Sequence, residues 1–381
     1  MLDAFRGRLD SALSSWLGAK RQAAGRPSES GAADGLGLPE MQELIDGVAR
    51  LVAGGGKRLR PALVYYTYRA CGGSSDGEVW PLAMATELLH TYLLIHDDIM
   101  DHAEVRRGQP AAHARLRDLH RELGWRGDAA DFGVAAAILI GDLAHSYAVE
   151  LFTSLPLAER DDRSQRAEGA DRADRSHAGR ALTRSFSAMC EEVIGGQYLE
   201  LLLAQAAVEP EARELLRVLR LKSGRYTAER PIQLGAILAG ASAEAKAELS
   251  LYGTAVGEAF QLQDDLLGMF GDAAATGKPV DADLKEGKFT FLIHHALAAA
   301  SPAERQALAA ALGNPAATPE QVMRARAVLE RTGARRAVTE MAAERLRAAR
   351  ESLGALALLG LAEEGRLFFA GLLDYLRERE R

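Results

Sequence analysis

Residues 87 to 108 read ELLHTYLLIHDDIMDHAEVRRG, and the reading of this stretch decides the fold. Leu88, Leu89, Leu93, Leu94 and Ile95 give it an apolar helical stem. Three carboxylates, Asp97, Asp98 and Asp101, close the stem, and Arg106 and Arg107 follow. Residues four apart share a helix face, so Asp97 and Asp101 point the same way, with Asp98 beside them. Such a cluster repels itself unless a cation is present, and Mg2+ prefers a few carboxylates together with phosphate oxygens. Arginine forks match the paired oxygens of a phosphate. The stretch reads as a metal-diphosphate clamp at the mouth of an apolar helix. A solvated acidic helix end would use the same letters, so the rest of the chain has to decide.

The pattern recurs once. Phe260 to Gly268, FQLQDDLLG, again ends an apolar helix in paired carboxylates, with Gln261, Asp264 and Asp265 within one turn. Two carboxylate helices suit a site in which two walls hold one polyanion through bridging metals, which also make a diphosphate a leaving group. Basic groups accompany both walls. Lys57 and Arg60 follow a Gly54-Gly55-Gly56 break, and His90 lies two turns before Asp97. Lys222 precedes Ser223-Gly224, and Lys278 and Lys288 follow the second acidic pair. Singly, each lysine is a solvated charge and His90 a core histidine; their joint placement around two acidic motifs supports the site.

Outward from these motifs the chain is helical throughout. Helices are expected at about 1–20, 39–52, 61–70, 80–101, 132–154, 182–207, 210–223, 232–239, 243–270 and in five further segments between 288 and 378. Residues 22–37 are rich in Gly, Ala, Ser and Pro and read as a linker. Residues 158–180 hold almost no large apolar side chain and read as a disordered or loosely helical insertion. No strand alternation is sustained, so the fold class is all-α. The expected division is an N-terminal helix and linker over 1–38 and one large helical domain over 39–381.

The chain has 381 residues, 48% of them hydrophobic, enough for a large core. A net charge of -7 argues against nucleic acid as a partner. Cys71 and Cys190 lie far apart without metal-ligand spacing, which fits reduced thiols and a cytoplasmic protein. The apolar run 134–140 is too short to span a bilayer, and no transmembrane segment is expected.

Taken in order, GGGKRLRP at 54–61, ELLHTYLLIHDDIMD at 87–101, RRG at 106–108, AILIGDLA at 137–144, GGQYLEL at 195–201, KSGRYTAERP at 222–231, FQLQDDLLGMFGD at 260–272 and GKPVDADLKEGK at 277–288 resemble the trans-prenyl diphosphate synthases. The resemblance is most marked to bacterial geranylgeranyl diphosphate synthases. It implies the isoprenoid synthase fold, a helical bundle around a central cavity, and a homodimer. It implies head-to-tail condensation of isopentenyl diphosphate with an allylic diphosphate. By the same resemblance Asp97 and Asp101 bind two Mg2+ ions with Asp98 supporting, and Asp264 binds a third with Asp265 close by. Arg106, Lys222 and Lys278 would grip the allylic diphosphate, with Ser223 and Lys288 beside them. Lys57, Arg60, His90 and Arg107 would take isopentenyl diphosphate, and Gln261 would lie near the reacting centre.

Some positions depart from the family pattern. Gly268 stands where a third aspartate is usual, with Asp272 close by in sequence, and Glu200 stands where aspartate is usual. Tyr92 lies five residues before Asp97, roughly 7.5 Å down a helix that rises about 1.5 Å per residue. A growing prenyl tail would meet Tyr92 and then Leu89. An aromatic residue there goes, in similar enzymes, with short to medium products. The expected product is geranylgeranyl diphosphate. Farnesyl or longer-chain synthesis, a terpene cyclase and a non-catalytic partner subunit are the alternatives.

Overall fold

Helical spacing of apolar residues, with capped ends, dominates the architecture of the computed structural model, which describes residues 1–25, 40–155, 169–206, 208–271 and 281–378. The chain divides into two compact units, Met1–Ala62 with Ser75–Ala158, and Leu63–Ser74 with Glu159–Arg381.

In the first unit, α1 (Leu2–Ala24) buries Phe5, Leu9, Leu13 and Leu17 at near four-residue spacing. Phe5 stacks on Trp80 at 5.5 Å between ring centroids. Thus α1 packs into this unit. The linker expected at 22–37 falls, from residue 26, outside the described residues. Next come α2 (Met41–Ala53), α3 (Leu59–Ala70, continuing into the second unit) and α4 (Asp76–Met100). Helix α4 starts a turn earlier than the expected residue 80. Asp76 and Glu78 favour its N-terminal dipole, and the helix runs on through Pro81.

After α4 the chain makes a tight hairpin that alternation could not reveal. Strands β1 (Val105–Arg106) and β2 (Gln109–Pro110) pair antiparallel with Arg106 opposite Gln109. The two loop residues, Arg107 and Gly108, have φ of 54° and 73°, as a type I′ turn requires. Helices α5 (Ala112–Glu122) and α6 (Ala129–Thr153) complete the unit. Asp128 caps α6, accepting from the amides of Ala130 and Asp131. By length and composition alone helix α6 could cross a membrane, with mean hydropathy 1.5 in its most apolar window. It also carries Asp131, Asp142 and Glu150 and packs against α2, α4 and α5, which makes it a core helix of this unit.

In the second unit, α7 runs Gly169–Gln205, so helix begins inside the stretch expected to be disordered or loosely helical. Residues 158–168 lie outside the described residues. Helix α8 (Ala212–Val218) widens into a π-helix (Leu219–Glu229) and re-tightens into α9 (Arg230–Leu238). The sequence reading broke the helix here; the chain instead stays wound, with the Arg230 amide reaching back five residues to Arg225. Helix α10 (Ala243–Phe270) is capped by Ser242, packs against the π-helix and carries the second acidic pair at its end. The remaining helices are α11 (Ala282–Lys285), α12 (Phe291–Ala299), α13 (Pro302–Ala309), α14 (Pro319–Arg331), α15 (Ala334–Leu358) and α16 (Glu363–Glu378). Tyr252 of α10 is fully buried and its hydroxyl donates to the Phe369 carbonyl at 2.8 Å. Gln263 donates to the Leu376 carbonyl at 2.8 Å. These bonds fix α10 against α16.

Candidate functional site

The first acidic wall is the C-terminal turn of α4. Asp97 and Asp101 are partly exposed, while Asp98 is only 2% exposed. Asp98 accepts from Arg106 Nε at 2.7 Å and also from Arg106 Nη2, and Arg106 lies 3.8 Å from Asp97. The β-hairpin thus buries Arg106 under the aspartates. The same turn swings Arg107 the other way, onto the Gly54–Gly56 loop. A Cβ on Gly56 would stand 2.8 Å from Arg107 Nη2, so glycine is what lets this guanidinium approach.

The basic residues of this unit gather behind that wall. Burial, reinforced by Arg60, Arg107, Arg106 and Arg58, holds the His90 imidazole well below its usual range, so His90 is neutral. Glu87 lies in the same field. Burial pushes its carboxyl up, and Arg58, Arg107 and Arg60 pull it back. Lys57 is exposed at the edge of the loop and Arg60 is half-buried. Positive charge concentrated beside three aspartates suits a diphosphate that arrives with a divalent cation.

Further down α4, Tyr92 touches two imidazoles, His96 at 4.7 Å and His145 of α6 at 5.0 Å between ring centroids. His96 Nε2 lies 3.2 Å from the Ile138 carbonyl. A Cβ on Gly141 would collide with the His96 ring at 2.3 Å, so α6 carries glycine where this ring of α4 packs. Leu89 is fully buried below Tyr92.

The second acidic wall belongs to the second unit. Gln261 Nε2 donates to Asp265 Oδ1 at 2.7 Å. Burial first, then the carboxylates of Asp283, Asp264 and Glu200, pushes the Asp265 carboxyl well above its usual range, against the Gln261 hydrogen bond. Lys222 donates to Glu200 from the π-helix, and Ser223 beside it is half-buried. Lys288 pairs with Glu286 at 2.6 Å and Asp283 at 3.5 Å. Lys278 and Asp272 lie outside the described residues.

The sequence reading missed Asp283. Its Oδ2 stands 2.9 Å from where a Cβ on Gly268 would be, so a carboxylate occupies the place where the motif lacks its third aspartate. Its position within GKPVDADLKEGK was the available signal. The reading also missed the ring contact of His145 and the burial of Arg58.

Among the described residues, no three His, Cys, Asp or Glu side chains close on a metal by themselves. Mg2+ is held by one or two carboxylates plus substrate phosphates and waters rather than by an all-protein cage. With Asp98 committed to Arg106, the fitting donors on α4 are Asp97 and Asp101. On α10, the mutual repulsion at Asp265 is what a divalent cation would relieve.

Comparison with known proteins places these features in context. A family model described as polyprenyl synthetase matches residues 42–329. A geranylgeranyl diphosphate synthase of Mycobacterium tuberculosis is 35% identical over 77% of this chain and 73% of its own length. A short chain isoprenyl diphosphate synthase of Methanocaldococcus jannaschii is 32% identical over 76% of each chain. Among solved structures, a geranylgeranyl pyrophosphate synthase from Corynebacterium glutamicum, complexed with isoprenyl diphosphate and magnesium, aligns with a TM-score of 0.85 and 31% identity. That alignment covers 100% of this chain and 99% of the other.

Proposed function

The chain belongs to the polyprenyl synthetase family and is a prenyltransferase, and on that premise we propose that it condenses isopentenyl diphosphate with an allylic diphosphate to make geranylgeranyl diphosphate. One observation carries the reading: Arg106 is buried against Asp98 and lies 3.8 Å from Asp97, and the charges of Arg58, Arg60 and Arg107 act with it on His90 of the same helix as these aspartates. A site with that charge pattern takes a polyanion together with a divalent cation.

In this reading Asp97 and Asp101 hold two Mg2+ ions and Asp264 a third. Bound there, Mg2+ supplies the charge that makes the allylic diphosphate a leaving group. Asp98 keeps Arg106 under the first motif, and Asp265 and Asp283 support Asp264. Arg106, Lys222, Ser223, Lys278 and Lys288 serve the allylic diphosphate. Lys57, Arg60, His90 and Arg107 take isopentenyl diphosphate, with His90 donating a hydrogen bond as a neutral imidazole. Gln261 orients Asp265 near the reacting carbon. The allylic carbon–oxygen bond ionises, the isopentenyl alkene attacks the cation, and a proton leaves to the departed diphosphate. The apolar stem of α4 keeps water from the cation. Tyr92, backed by Leu89, ends the tunnel.

The enzyme is read as a cytoplasmic homodimer. Each unit supports the dimer with an exposed apolar stripe at helical spacing: Val134, Ile138 and Val149 on α6, and Ile194, Tyr198 and Leu201 on α7. Consumption of labelled isopentenyl diphosphate tests the function. It is expected to require both an allylic diphosphate and Mg2+, and to stop with EDTA. Consumption of the allylic substrate alone would indicate a cyclase, and no consumption of either a partner subunit.

A further inference from the structure

Arg58 lies between Lys57 and Arg60, yet its side chain is 1% exposed. Its Nε donates to Asp10 of α1 at 2.7 Å, Nη1 to Glu87 of α4, and Nη2 to the Val52 carbonyl in α2. Three helices therefore meet on one guanidinium, whose donors are engaged and unavailable to substrate. Its backbone is unusual too. Arg58 has φ of 50°, just after Gly55 at 82° and Gly56 at 148°. A non-glycine residue persists in that region only when its surroundings hold it there.

We propose that Arg58, Glu87 and Asp10 are positioning residues that fix the 54–58 loop so that Lys57 and, at the start of α3, Arg60 serve isopentenyl diphosphate, which makes α1 part of that substrate's binding apparatus. The inference rests on the function proposed above. Three observations carry it. The loop opens with three glycines that fix nothing by themselves, so its shape depends on the tie made at Arg58. Glu87 is the buried counter-charge within the arginine group, and it meets Arg58 directly, so the tie also tempers the charge the substrate meets. Asp10 reaches the same guanidinium from a helix that follows a separate path through the unit, which joins α1 to the loop through a side chain.

Asp10→Asn is the decisive variant, because Asp10 is 40% exposed and its loss leaves the Arg58–Glu87 pair in place. Steady-state kinetics in both substrates should show the KM for isopentenyl diphosphate rising about fivefold, the size expected from weakening one charged hydrogen bond. The KM for the allylic diphosphate and kcat should stay within about twofold. Asp10→Glu should recover most of the loss. Lys20→Met, which breaks the separate tie from α1 to Glu150, should move neither KM. An unchanged KM in Asp10→Asn, an equal rise for both substrates, or the same shift in Lys20→Met would overturn the proposal. A wild-type enzyme that does not consume isopentenyl diphosphate would overturn the functional reading instead.

Discussion

Lys222 donates to Glu200, and the backbone of Lys222 lies against Gly196, one turn before Glu200 on the same helix. The glycine sets the approach and the glutamate holds the ammonium, so α7 fixes both ends of this lysine. A Cβ on Gly196 would stand 2.4 Å from the Lys222 amide nitrogen, against backbone that cannot swing aside. Gly196→Ala is expected to destabilise by roughly 1–3 kcal/mol and to lower kcat. Its neighbour Gly195 has nothing within 4 Å of a Cβ, so Gly195→Ala should stabilise by about 0.5–1 kcal/mol. Thermal unfolding of the pair checks both signs.

Asp265 is crowded by Asp283, Asp264 and Glu200. Removing its charge should raise the unfolding temperature of metal-free protein. The same Asp265→Asn change should cut turnover by roughly ten- to a hundredfold, as loss of a metal-supporting group does. It should also shrink the rise in unfolding temperature that Mg2+ with inorganic diphosphate gives the wild type. Unfolding scans with and without Mg2+ separate these effects.

Tyr92 is held between His96 and His145. On the proposed path of the prenyl tail, replacing it with alanine leaves Leu89, fully buried, as the next obstacle. Tyr92→Ala is expected to yield products longer than twenty carbons. An unchanged chain length by chromatography would remove Tyr92 from the ruler.

The neutral state of His90 has a consequence for acid stability. In the unfolded chain its imidazole protonates as pH falls through about 6.5, the ordinary value. In the folded protein burial and the neighbouring arginines keep the proton off. The unfolded state therefore binds the proton first, and the stability present above pH 6.5 is lost as pH falls below it. His90→Gln should lose less unfolding temperature than the wild type between pH 7.5 and 5.5, roughly the window in which an ordinary histidine charges.

The helices and both acidic motifs were legible because periodicity and paired carboxylates are local signals. The π-helix was not. Ser223-Gly224 and Pro231 look like breakers, and what keeps the helix wound is its packing: a Cβ on Gly257 of α10 would stand 2.1 Å from the Gly224 carbonyl oxygen. The hairpin at Val105–Pro110 was invisible because two-residue strands carry no alternation. Asp283 was missed because its place beside Gly268 depends on the path of the intervening chain. Arg58 read as one basic letter among several; its burial depends on Asp10 and Glu87, both remote in sequence.

The most direct test is chromatography of the extracted products after incubation of the purified protein with isopentenyl diphosphate, farnesyl diphosphate and Mg2+. The account predicts a twenty-carbon geranylgeranyl product, formed with one isopentenyl unit added per farnesyl unit consumed. A cyclic hydrocarbon released from farnesyl diphosphate alone, or recovery of both substrates unchanged, would contradict it.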